Sequence, residues 1–335
     1  VTPEFRVIPG LRVNYDRKEG DYESSIYGGL QTNNQTLINL QRGVLAPQAY
    51  DIDISDWNVS GQLTLAYQVT DWVNAYATFS TAQKSVGINV GGLPTDGSGN
   101  PILESASVKP ERVRHYELGV KTEPFPGVVA NLTGFYTEVK DFQAQVFNAQ
   151  IGVARGYLAN ADKVRIHGVE FDGSWQATDN LYLHGAVAYT EAIYVSFVDA
   201  PAPLEGTGGP SSVDISGQRL PGVSKWSLVG GGEYAIPGNF WGREGEFFGA
   251  VDVSYRSGYS SSPTPSAYLN VDAYSLTSAR AGFRGGDGWD VFFWGRNMFD
   301  KDYYEQLNAP SGGTGLYAGV VGDPRTFGVT VRGQF

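Results

Sequence analysis

Apolar and polar residues alternate with period two along much of the chain, which puts every second side chain on one face of a strand. In the stretch 58–67, Val59, Gly61, Leu63, Leu65 and Tyr67 alternate with Asn58, Ser60, Gln62, Thr64 and Ala66. Phe247, Gly249, Val251, Val253 and Tyr255 alternate with Phe248, Ala250, Asp252, Ser254 and Arg256, and Phe327, Val329 and Val331 with Thr326, Thr330 and Arg332. The pattern predicts about twelve strands, over 5–16, 57–68, 72–84, 111–123, 127–143, 164–177, 180–196, 222–236, 245–258, 268–285, 288–300 and 324–335. Many are longer than the ~5–6 residues usual in globular proteins. They match the ~9–11 residues a tilted strand needs to cross a bilayer.

The connections alternate in length. Short ones fall at 69–71, 124–126, 178–179, 237–244 and 286–287, and long ones at 17–56, 85–110, 144–163, 197–221, 259–267 and 301–323. An up-and-down meander with tight turns at one end and large loops at the other has this asymmetry, as outer-membrane barrels do. Trp72, Trp175, Trp241 and Trp289 lie beside short turns and Trp57 and Trp226 beside long loops. Those are the two levels where a bilayer favours the indole ring. Trp294 alone falls in mid-strand. A soluble sandwich or propeller would bury the same aromatics in a core, but its strands are rarely so long or its loops so regular.

Composition sharpens this. Glycine is 44 of 335 residues and aromatics are 13%, and stretches rich in Ala, Lys and Glu are missing, which disfavours a helix bundle. The net charge of −11 argues against nucleic-acid binding, which needs a basic stripe. With no cysteine there is no disulfide scaffold, Cys-ligated zinc site or thiol nucleophile. No apolar run reaches the ~18 residues of a membrane helix. The chain opens on Val1 without a signal-like segment and enters a strand by Phe5, which reads as a missing N-terminal part. The long loops carry −7 of the −11 charges. An acidic rim attracts cations and could hold Ca²⁺ bridging to lipopolysaccharide, although exposed acidic loops also serve solubility alone.

Seven segments, in order along the chain, carry a family resemblance. They are IPGLRVNYD (8–16), STAQKSVGINVGG (80–92), VKPERVRHYELGVKTE (108–123), IHGVEFDGSW (166–175), LPGVSKWSLVGGGEY (220–234), NMFDKDYYE (297–305) and GDPRTFGVTVRGQF (322–335). Together they resemble the C-terminal part of the β-barrel of TonB-dependent outer-membrane receptors. The resemblance implies an all-β, transmembrane antiparallel barrel, with about twelve strands here out of an expected 22, forming one unit over 1–335. It further implies that the plug and the first strands are absent, that TonB engages the protein through the missing plug, and that Phe335 serves as the C-terminal assembly signal.

Candidate site residues follow from the strand faces. Tyr116, Leu118 and Val120 share one face, and His115, Glu117, Gly119 and Lys121 the other, so Glu117 and Lys121 should face the polar lumen. Arg112 and Arg114 stand near the long-loop end on the register opposite to His115. A bulge, or the water above the membrane, must accommodate them. Glu117, Glu170 and Asp172 are candidates to face the plug, while the plainer reading is an ion pair within the wall or a hydrated lumen. Glu170 and Asp172 lie about 7 Å apart by strand rise, a spacing acid–base catalysis could use, but no nucleophile or metal set accompanies them. His115, His167 and His184 lie on different strands and share no metal-ligand spacing. No GxSxG elbow occurs, and the glycines at 230–232 suit close backbone packing or strand curvature better than a phosphate loop. Tyr50, Trp57, Tyr157, Tyr194, Tyr259, Tyr268, Tyr303, Tyr304 and Tyr317 lie near the loops and could line a binding vestibule, or belong to the interfacial girdle.

The reading reached is a bacterial outer-membrane receptor for energy-dependent uptake of a scarce nutrient, a ferric siderophore as first choice, with no catalytic residue, resident metal or cofactor. Its partners would be outer-membrane lipid and lipopolysaccharide, the TonB complex and the small-molecule ligand, and no nucleic acid. The rival readings are a passive diffusion channel and, from another class, an outer-membrane hydrolase, which would need a Ser–His pair at the lipid face.

Overall fold

A computed structural model describes residues 2–45, 47–96, 100–148, 155–263, 266–286, 288–310 and 315–333. One twelve-stranded antiparallel sheet dominates it: β1 (Phe5–Ser24), β2 (Gln48–Thr70), β3 (Val73–Lys84), β4 (Glu111–Thr122), β5 (Val128–Asn148), β6 (Arg155–Thr178), β7 (Leu181–Ser196), β8 (Trp226–Phe240), β9 (Arg243–Arg256), β10 (Tyr274–Gly285), β11 (Trp289–Arg296) and β12 (Thr326–Gly333). Each strand pairs with the next in sequence, so the fold is the up-and-down meander of a transmembrane β-barrel. Successive antiparallel pairing sends the long connections to one end and the short ones to the other. Among the described residues β1 and β12 each have a single neighbour, and the sheet is open there.

All twelve expected strands form, with shifted ends. The segments 17–24 and 48–56, read above as loop, continue β1 and β2, with Arg17 opposite Ser55 and Glu19 opposite Asp53. Charges on both faces hid them, because a strand standing in water above the membrane needs no apolar face. β5 and β6 likewise run on to Asn148 and start at Arg155, while β10 begins at Tyr274 and β11 ends at Arg296, each inside its expected range. The long connection after β1 holds a helix, Gln35–Leu45, that the alternation did not suggest. Its entry is capped by Asn34, whose Oδ1 accepts from the Thr36 N–H at 3.0 Å. The turn expected over 237–244 closes to Trp241 and Gly242, both at positive φ (53° and 80°), the two-residue geometry that matches strand twist.

The register separates two faces. Leu11, Val13 and Tyr15 pair with Gly61, Val59 and Trp57 on one of them. The same face continues through Phe79, Tyr116, Leu118, Leu132, Phe171, Val251, Val253, Phe293, Val329 and Val331. These residues are exposed in the chain, as lipid-facing positions must be before lipid covers them. The other face is polar and cross-linked. Asn14 bonds Asn58 at 2.9 Å, and Asn131 bonds Asp172 at 2.9 Å. Glu233 meets Arg280 at 3.2 Å and Arg284 at 3.0 Å, and Arg284 also bonds Glu246. Glycines make room for this inner layer. A Cβ on Gly231 would stand 2.5 Å from Asp252 Oδ1 and 3.0 Å from His184 Cε1. Its absence lets those two groups, from β9 and β7, meet across β8 at 3.3 Å. That is the close packing expected of the glycine run.

The small apolar core lies at the long-loop end. Val139, Val164, Ala192 and Tyr194 on the inner face pack against Ala200, Ile215 and Leu220 of the connection after β7.

Candidate ligand vestibule at the long-loop end

The vestibule begins with the fold-back of the 197–225 connection. Its backbone pairs with β7: Tyr194 N–H donates to Gln218 O at 2.9 Å, Gly217 N–H to Tyr194 O at 2.7 Å, and Leu220 N–H to Ala192 O at 3.0 Å. The apolar side chains at 215 and 220 are thereby pulled onto the inner core, and the loop is held rather than loose. The connections after β9 and β11 are tied together as well. Tyr259 Oη donates to Glu305 O at 2.7 Å, and Leu307 N–H donates to Ser261 Oγ at 3.1 Å.

Between these segments lies a cavity of about 550 Å³ whose wall includes Phe142, Gln143, Tyr194, Arg256, Tyr259 and Asn308. The Arg256 guanidinium lies 4.6 Å over the Tyr259 ring and donates to Gly222 O at 3.1 Å. Two polar atoms of this wall, Tyr194 Oη and Asn308 Oδ1, are buried without a hydrogen-bond partner. The wall thus offers a guanidinium and aromatic faces, and is suited to a polar ligand with planar groups.

A second tie joins three connections. Glu205 Oε2 accepts from Tyr317 Oη at 2.6 Å, and Glu205 Oε1 from the Ala267 N–H at 2.9 Å. The Tyr268 and Tyr317 rings lie 5.1 Å apart. Burial works against the Glu205 carboxylate, but the bonds from Tyr317, its own N–H, Ser266 and Ala267 outweigh it and hold its pKa below the usual range. Burial and the bond to Glu205 push the Tyr317 phenol up to about 12.

The structure gathers some of the expected residues and scatters others. Tyr194 lines the cavity, and Tyr268 and Tyr317 meet beside Glu205. Tyr157 is packed against the inner core beyond the membrane, where burial lifts its phenol to about 12. Tyr303 lies 4.5 Å from Tyr274 in a tilted ring pair, while Tyr304 is exposed. Tyr50 is buried apart from them, donating to Asn89 O at 2.8 Å and stacked on Tyr22. Trp57 lies on the lipid-facing side against Tyr15, with ring centroids 4.9 Å apart, at girdle level in mid-strand rather than in the vestibule. Glu117, Glu170 and Asp172 face inward, with Glu117 3.4 Å from His115. Phe335 lies outside the described residues. Arg256, Gln143 and Asn308 carry no motif; only the places of Arg256 and Gln143 near expected strand ends, and of Asn308 within a long connection, could have marked them.

No group of three metal-ligating side chains occurs among the described residues. Each histidine has its own carboxylate: His115 with Glu117, His167 with Glu191 and His184 with Asp252. His167 lies on the face opposite the other two.

A family model described as TonB dependent receptor-like, beta-barrel, matches residues 1–298. The ferric-pyoverdine M114 receptor PbuA of Pseudomonas sp. (strain M114) is 25% identical over 280 residues, 82% of this chain and 30% of that protein. The pesticin receptor of Yersinia enterocolitica is 27% identical over 176 residues, 52% of this chain and 22% of its own length. The crystal structure of the ferric yersiniabactin uptake receptor FyuA from Yersinia pestis superposes on all of this chain and 44% of its own, with a TM-score of 0.72 at 19% identity. The chain therefore spans less than a third of the length of these curated relatives.

Proposed function

This chain belongs to the TonB-dependent receptor β-barrel family, and from that premise we propose that it is the C-terminal barrel wall of a bacterial outer-membrane receptor. In this reading residues 1–335 form one barrel unit. The loops capture a scarce nutrient outside the cell, a plug on another part of the protein completes the pocket, and the TonB complex supplies the work of import. No chemical step on the ligand is needed. The ligand proposed is a ferric siderophore. The relatives named for ferric pyoverdine and ferric yersiniabactin support that class.

The observation that carries the reading is the vestibule. The Arg256–Tyr259 pair sits under connections that are bonded to one another. A passive channel would have no use for a cation and aromatic faces gathered beneath connections that are bonded to one another. The test is uptake of ⁵⁵Fe-loaded siderophores by cells making or lacking the full-length protein, with and without an uncoupler. Uptake that needs both the protein and the membrane potential is the expected result, with Arg256→Ala raising the half-saturating concentration several-fold. Uptake that persists with the uncoupler, together with a steady ion conductance in planar bilayers, would establish the passive channel instead.

A further inference from the structure

Arg112 and Arg114 lie on the register of the lipid-facing wall, opposite to His115, and the receptor reading gives them no task. The structure shows that they have company. On the outward face Arg112 pairs with Lys140 and Arg114 with Glu138 across β4 and β5, and Lys140 pairs with Lys163 and Glu138 with Arg165 across β5 and β6. Five cations and one carboxylate thus fill two adjacent rows of three strands. Glu138 is taken by Lys163 at 2.6 Å. Arg112, Arg114, Lys140 and Arg165 have no carboxylate within ion-pair distance among the described residues.

The rows have a definite height. The next outward row toward the short turns carries the rings of Phe79, Tyr116 and Tyr136, with centroids 5.0 and 6.4 Å apart, and continues to His167, which meets Glu191 at 3.4 Å. Below it come Leu118, Leu132, Val169 and Phe171. Rings at that position mark the edge of the hydrocarbon. Outward positions along a strand are about 7 Å apart, so the cations stand at headgroup level, where charge on the outer wall carries little penalty. They cannot serve the lumen, because the inner face at this height is filled by Val113, Val139, Val164 and Ile166. Nor is the feature general around the wall. On β1, the next outward residue beyond the Tyr15–Trp57 ring pair is Arg17, which is neutralised by Asp53 at 3.0 Å and by Glu19.

We infer that the outer wall of β4–β6 is a binding site for the phosphate groups of an outer-leaflet glycolipid of the lipid A type, whose acyl chains lie on the apolar strip beneath. Guanidinium groups match phosphate oxygens bidentately, and a phosphate answers the unpaired donors that the protein leaves at this height. The inference rests on the outer-membrane reading and adds a specific lipid to it.

The test uses the full-length protein, stripped of lipid in detergent, and titrates it by native mass spectrometry with diphosphoryl lipid A, dephosphorylated lipid A and phosphatidylglycerol. Diphosphoryl lipid A should bind at least about tenfold more tightly than either of the others. The combined variant Arg112→Gln, Arg114→Gln, Lys140→Gln, Arg165→Gln should lose at least about tenfold of that affinity, and Arg17→Gln on the same wall should lose less than about twofold. If the fourfold variant fails to fold, Arg114→Gln with Arg165→Gln serves in its place. Equal binding of dephosphorylated lipid A or of phosphatidylglycerol, or unchanged binding by the variant, overturns the inference. Heat-modifiable gel mobility reports the premise separately: a protein that folds as a barrel but ignores lipid A refutes this site alone, whereas one that never folds as a barrel refutes the reading beneath it.

Discussion

At the scale of single residues, the inner face depends on side chains that are missing as much as on those present. Gly231 is the clearest case. Gly231→Val would push apart His184 and Asp252, which meet over it at 3.3 Å. Overpacking of this kind costs about 1–3 kcal/mol, to be read as a lower urea midpoint for the full-length protein in lipid vesicles. Gly230→Ala is the comparison: its added Cβ has no neighbour nearer than 3.6 Å, and the change should stay within about 0.5 kcal/mol. The Glu205–Tyr317 tie makes a second prediction. Because Glu205 titrates below its usual value when folded, its contribution is present at neutral pH and is lost as the pH falls through and below the ordinary carboxylate range. Tyr317 has the opposite sign, and its contribution is lost as the pH rises from 10.0 towards about 12. Hydrogen exchange at the Ala267 amide, corrected for intrinsic rate, should be slow between those limits. Tyr317→Phe should speed it about fivefold, the effect of one hydrogen bond worth ~1 kcal/mol. Neither feature could be read along the chain. The glycine run signalled close packing but not which residues would meet, and Glu205 is 112 positions from Tyr317.

At the scale of elements, alternation identified every wall strand because lipid on one side and water on the other impose period two on a crossing segment. It stopped being legible where that contrast ends. Strands 17–24 and 48–56 are paired residue for residue yet have no apolar face, and the Gln35–Leu45 helix lies in a connection whose composition spoke only of loop. The same contrast makes the register testable. Val251 faces lipid and Asp252 the interior. Val251→Arg should therefore destabilise the full-length barrel by about 2–4 kcal/mol if it lies near the midplane, while Asp252→Asn should leave the barrel inserted. Spin labels at 251 and 252 should divide in the same way, with oxygen reaching 251 and an aqueous nickel chelate reaching 252. Protection of 252 by lipid would overturn the assignment of faces. The vestibule was only half visible at this scale. Its aromatic residues stood out beside the loops, whereas Trp57 and Tyr50, chosen by the same rule, sit on the outer wall and in a separate small core. Proximity to a loop in sequence does not say which face a ring occupies.

At the scale of the whole molecule, the twelve strands form a wall with two free edges. Hydrocarbon does not tolerate unpaired backbone N–H and C=O groups, so residues 1–335 alone in detergent should give no heat-modifiable band and no discrete conductance. They should instead associate through the edges of β1 and β12. A stable conducting pore made by this segment alone would show that the two edges can meet and would favour the passive channel.

The wall is also uneven in height. On β1 and β2 the lipid-facing apolar positions end at Tyr15 and Trp57, and paired backbone continues to Ser24 and Gln48. At ~3.3 Å per residue this ribbon stands roughly 25–30 Å clear of the ring level along the strand. Just past its end Tyr27 is fully exposed beside Gly28 and Gly29. In the outer-membrane reading, that tip is open to an antibody or a phage arriving from outside the cell. Immune and viral pressure would fall there, on residues that touch neither cavity nor bilayer, so the tip could change its identity between strains while the vestibule beneath it stays the same.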